Sequence, residues 1–142
     1  MTSPVHNLYA KAVSVYDEAR YLQPITGPEA YEKRIPLEVI GFLVPCFRSR
    51  RFWLRAAHYY SGVNHGEAFT LLREKNKIYG TKQLHTMGTL GILIRSLDKI
   101  ERIKNIQQGA TSIVLATESV KDSYIDLFNY AVLAVLLLDK RL

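Results

Sequence analysis

The chain has little of what most metal and redox chemistry requires. Its 142 residues include a single cysteine, Cys46, which excludes an intrachain disulfide and any cysteine-rich zinc site. One thiol in an apolar setting with no evident activating base reads as a buried, inert side chain. Four histidines occur, His6, His58, His65 and His85. No two of them stand four apart, and no HExxH is present. P-loop, GxGxxG and nucleophile-elbow patterns are also missing. The longest apolar run, Tyr130 to Leu138, has nine residues, against about 20 for a membrane span. Met1 to His6 lacks the basic region and apolar run of a secretory signal. A soluble, cytoplasmic protein with no membrane partner is expected.

What is present suits a folded domain. Hydrophobic residues make up 48% and charged residues 23%, ordinary values for a globular chain. The length favours one domain over residues 1–142 with a real core. A formal charge of +6 steers the protein towards phosphate-bearing partners. Small helical domains with this much apolar surface often self-associate, so a homo-oligomer is expected.

The periodicity is helical, and no useful period-two segment occurs. Leu8, Ala12, Val15 and Ala19 share one face of a first helix. Gln23 to Pro28 breaks it. Residues 37–60 suit a helix that Pro45 would kink or split. Ser61 to Gly66 marks a soft boundary between an N-terminal helical extension, residues 1–62, and a helical core, residues 63–142. Asn64 is placed to cap a helix over 65–79, with Ala68, Leu71 and Leu72 inward and Gly80 as its stop. After a loop containing Thr81, His85 and Thr86, Leu90 to Ile106 carry the next helix. Residues 117–139 form the last, with Thr117 as a candidate cap. The expected fold is all-α, a compact bundle of about five helices with the last two antiparallel.

Three groups of residues could carry chemistry. Glu118, Asp122 and Asp126 stand at four-residue steps on the last helix, so they stack on one face. Like charges at that spacing repel, and something must compensate. The preceding helix offers Arg95, Asp98, Lys99 and Arg102 on one face of its own. Facing helices would bring four carboxylates and three cations into a seam. Such a seam is either a magnesium site, because magnesium takes carboxylates, waters and substrate phosphates, or a salt-bridge network. The second group, Arg73 to Lys82, crowds cations with Lys77 and Tyr79 around a glycine turn. It could meet phosphate, or simply complement the helix dipole. The third, Phe47 to Arg55, interleaves four arginines with three aromatics, as nucleic-acid sites do. Core packing of Phe52 and Trp53 explains that run at least as well.

Three blocks in order resemble a known family. They are Lys75 to Gly80, Gly91 to Ile103, and Glu118 to Ala131. The stretch 70–140 resembles the nucleotide-modification-associated domain, type 1, a small helical family of bacteria and phages. Its acids on helices are similar in kind to those of all-α NTP pyrophosphatases, although the paired ExxE…ExxD of those enzymes is absent. The resemblance implies a nucleotide-binding protein of nucleotide metabolism or modification, and in its enzymatic version a magnesium-dependent pyrophosphohydrolase. In that version Asp122 and Glu118 are catalytic and Asp98, Glu118, Asp122 and Asp126 hold magnesium. Arg95, Lys99, Arg102, Lys77, Tyr79, Asn129 and Tyr130 bind substrate. The alternative is a non-catalytic protein that sequesters a nucleotide or nucleotide signal. Nucleic acid is a less favoured partner.

Overall fold

A computed structural model describes residues 4–20, 47–79, 82–107 and 113–142. The expectations for Gln23 to Pro28, Pro45, Cys46, Gly80 and Thr81 lie outside these residues. Five helices are described: α1 (Pro4–Ala19), α2 (Arg50–Tyr59), α3 (His65–Tyr79), α4 (Lys82–Gln107) and α5 (Ile113–Leu138). No strand occurs among the described residues. The all-α reading holds.

Helix α5 is the axle of the fold. From Ser123 to Leu136 every side chain is buried except Tyr130, which is half-buried. A helix apolar on nearly all sides must be enclosed, and α1, α2, α3 and α4 all pack against it. The most extensive contact is between α4 and α5, packed antiparallel as expected of helices joined by a short connection. Phe128, fully buried, meets the rings of Tyr16, His65 and Phe69. One apolar cluster thus runs from Leu8 on α1 to Leu136 on α5. No described helix is long and apolar enough to cross a membrane.

Local signals set several boundaries as expected. Leu8, Ala12, Val15 and Ala19 of α1 are all buried. Asn64 caps α3, its Oδ1 accepting from the Glu67 N–H at 2.9 Å. Ser49 caps α2 in the same way, through the Phe52 N–H. Arg50, the first residue of α2, forks onto Asp139 just beyond α5 and onto Glu18 of α1. Lys11 of α1 donates to the Arg141 carbonyl nearby. These contacts fasten one end of the bundle.

Two boundaries differ from the sequence reading. Helix α5 begins at Ile113, not near Thr117, because no glycine or proline interrupts 113–117 and a helix propagates readily once nucleated. The segment around His85 and Thr86 is helical rather than a loop, as the Thr86 hydroxyl bonding back to the Lys82 carbonyl illustrates. That turn and a half meets the body of α4 at Gly88, whose φ of 63° and ψ of −162° lie in a region essentially reserved for glycine. Just beyond it, a Cβ on Gly91 would stand 2.4 Å from the Cβ of Met87. Two glycines three apart therefore permit a sharp bend: one supplies the backbone angle, the other the close approach. The bend leaves Met87, Leu90 and Ile94 about half-exposed.

Candidate functional site

The bend in α4 shapes a cavity. Leu84 and Arg95 both line it. Eleven residues apart, they would be separated by about 16 Å along a straight helix, too far to share a space of about 380 Å³. Folding 82–87 back at Gly88 brings them to one site. Helix α3 contributes Leu72, Lys75 and Asn76, and α5 contributes Asp126, Asn129, Tyr130 and Leu133. The mixture of an apolar floor with a few polar groups is that of a small-molecule site.

Asp126 organises the polar wall. Its side chain is almost buried, and one oxygen accepts from Lys75 Nζ at 2.6 Å while the other lies 3.0 Å from Lys99 Nζ. A buried carboxylate needs such partners to offset its lost hydration. Lys75 is half-exposed and Lys99 about a quarter exposed, so both remain in reach of solvent and of a ligand. With Arg95 on the cavity wall and Asp98 acting on Tyr130 from the same helix, three cations meet two acids, a local excess of one positive charge.

The neighbouring polar groups on α5 are fixed by burial. Asn129 donates from Nδ2 to the Ala68 carbonyl at 2.9 Å. Its Oδ1 is buried with no hydrogen-bond partner. Tyr130 has its phenol pKa raised above the usual 10.0, first by burial and then by the negative charge of Asp126. At neutral pH it is a protonated donor.

The sequence-derived residues divide accordingly. Arg95, Lys99, Asp126, Asn129 and Tyr130 converge on or beside the cavity. Asp98, Arg102 and Asp122 are exposed. The side chains of Glu118, Lys77 and Tyr79 lie outside the described residues. The row of acids is therefore not uniform: four residues advance about 400° around a helix, and Asp126 is enclosed where Asp122 meets solvent. Among the described residues no group of three or more histidines, cysteines or acids could hold a metal ion. Both Asp126 oxygens already face lysines, so Asp126 as placed is not free to hold magnesium. Lys75, Asn76, Gln83 and Leu84 were missed as site residues. Lys75 stood in the basic group around Tyr79, but nothing in its spacing pointed to Asp126, which lies 51 residues away.

The aromatic and arginine run does not make a stacking surface. Phe52, Trp53 and Leu54 are buried, and the Trp53 indole donates to the Phe47 carbonyl at 2.6 Å. Arg50 is engaged by Glu18 and Asp139. What faces solvent is Arg48, Arg51 and Arg55, and the half-buried ring of Phe47 lies under the Arg48 guanidinium, 5.3 Å from it.

The cavity's cationic wall falls within the stretch that one family model matches. Residues 75–138 match the family model of nucleotide modification associated domain 1. The resemblance seen over 70–140 is thereby borne out. The matched stretch begins at Lys75 and contains Arg95, Lys99, Asp126, Asn129 and Tyr130, and it ends where α5 ends. Neither a curated protein nor a solved structure matches the chain. The family's description associates the domain with nucleotide modification.

Proposed function

We propose that the chain binds a nucleotide in the cavity between α3, the bend of α4 and α5. The observation that carries this reading is the local excess of positive charge: Lys75, Lys99 and Arg95 near the buried carboxylate of Asp126, on a cavity of about 380 Å³. Phosphate oxygens replace or share the carboxylate as partners of the lysine ammonium groups, each of which carries three donors. Arg95 adds a fork suited to phosphate. Leu72, Leu84 and Leu133 offer apolar surface to a base or sugar. The family's association with nucleotide modification supports the same ligand class.

Binding, rather than hydrolysis, is the version the geometry favours, because Asp126 is neutralised by lysines and Asp98 and Asp122 stand in solvent. Thermal unfolding with nucleoside mono-, di- and triphosphates, with and without magnesium, tests it. A ligand at 100 times its Kd adds roughly 2.7 kcal/mol to stability, a clear rise in Tm. Intact nucleotide recovered by mass spectrometry fits a binding protein. Magnesium-dependent product that disappears in Asp122→Ala would favour the pyrophosphohydrolase instead. No Tm rise with any nucleotide would remove the proposal. Self-association would use the exposed apolar strip at Met87, Leu90 and Ile94, and sedimentation of Ile94→Glu against the parent chain reads it.

A further inference from the structure

Asn129 holds an unanswered acceptor at the cavity wall. Its side chain is 4% exposed. Only an N–H can face a carbonyl, so the bond from Nδ2 to the Ala68 oxygen fixes which way the amide is turned. Oδ1 is left as an acceptor, buried and without a partner, in a residue that lines the cavity. Buried polar atoms are nearly always paired, so an orphan in a residue of the cavity wall asks for a donor, which reaches it once the side chains that cover Oδ1 give way to the ligand. Rotating the amide cannot relieve it, since that would set oxygen against oxygen at Ala68.

We infer that Asn129 is a specificity-determining residue: its Oδ1 accepts a hydrogen bond from an N–H on the edge of the bound nucleobase. The inference rests on the nucleotide reading of the cavity and extends it to the base. Asp126 and Asn129 are three residues apart, about 4.5 Å along the helix. The cations held at Asp126 and the acceptor at Asn129 can therefore engage two parts of one ligand, phosphate at the first and base at the second. Sugar phosphates and inorganic phosphate satisfy only the first. A base whose edge N–H has become N–CH3 leaves Oδ1 buried and unpaired, and sites built around a polar contact reject ligands that lack it.

The test is calorimetric titration of the full chain with matched pairs of nucleoside monophosphates. Each pair comprises the parent and the analogue whose Watson–Crick-edge N–H groups are methylated, with inorganic phosphate alongside. The preferred parent should bind on the order of 10- to 100-fold more tightly than its methylated partner. In Asn129→Leu that ratio should collapse towards one, because the acceptor is gone. A ratio near one in the parent chain overturns the inference while leaving nucleotide binding intact. A large ratio that survives unchanged in folded Asn129→Leu also overturns it, since the discrimination then has another source. If the leucine variant does not fold, the ratio in the parent chain decides. Failure of every nucleotide to bind overturns the nucleotide reading itself, and the inference with it.

Discussion

Two sites in this molecule use the same charge arithmetic for different ends. At one end of the bundle a single cation, Arg50, is gripped by two acids, Glu18 and Asp139. Beside the cavity a single acid, Asp126, is gripped by two lysines, Lys75 and Lys99. Arg50 contacts each carboxylate through more than one nitrogen, so its planar fork is committed in fixed directions. Each lysine instead approaches one oxygen of Asp126 as a point charge, leaving ammonium protons free to turn elsewhere. The first arrangement closes on itself and joins α1, α2 and the end of α5. The second borders a cavity and carries surplus charge. Which charged triad is a fastening and which a binding wall is decided by donor geometry and by adjacent empty space, not by the count of charges.

The largest expected effect separates the two sites directly. Asp126→Asn removes a buried charged acceptor and should cost about 2–3 kcal/mol in denaturant unfolding. It should also tighten nucleotide binding, because the lysines lose their internal anion. Weaker binding in a folded variant would break the comparison. Gly88→Ala should cost about 1–3 kcal/mol from the strained backbone and weaken ligand binding by displacing 82–87, both read from ligand-dependent melting curves. Arg50→Lys keeps the charge and loses the fork. Because Arg50 is partly exposed, the loss should be near 1 kcal/mol, with nucleotide affinity unchanged. Lys75→Ala should shift stability by less than about 1 kcal/mol while lowering affinity and flattening its dependence on salt.

The smallest effect is a pH dependence at the fastening. Glu18 has its pKa held below the usual 4.5, chiefly by the hydrogen bond from Arg50. A carboxylate depressed in the folded state stabilises above its unfolded pKa and loses that contribution as pH falls through its folded value. The parent chain should therefore lose slightly more stability than Glu18→Gln on acidification below about pH 4.5. Equal acid sensitivity of the two would show that the Arg50 contact contributes nothing measurable.

Much of the fold was legible because it rests on local signals. The face of α1 and the Asn64 cap follow from spacing and capping alone. The candidate site was legible in part. The polar positions on α4 and α5 were visible as periodic rows, but a row on a helix does not reveal where along its length the helix is enclosed. Asp122 and Asp126 look equivalent in sequence, and packing by α3 and α4 makes one buried and the other exposed. The missing partner was Lys75, brought to Asp126 by tertiary packing across 51 positions.

The sequence by itself determined an all-helical chain, its principal helix faces, its basic charge and the domain resemblance over its second half. Each of these depends on residues within a few turns of one another. Tertiary structure alone decided that α5 lies at the centre, that Gly88 bends α4 to form a cavity, and that Asp126 holds two lysines while Asn129 keeps a free acceptor. Those facts depend on which helix covers which, and burial is set by neighbours in space that no local pattern specifies.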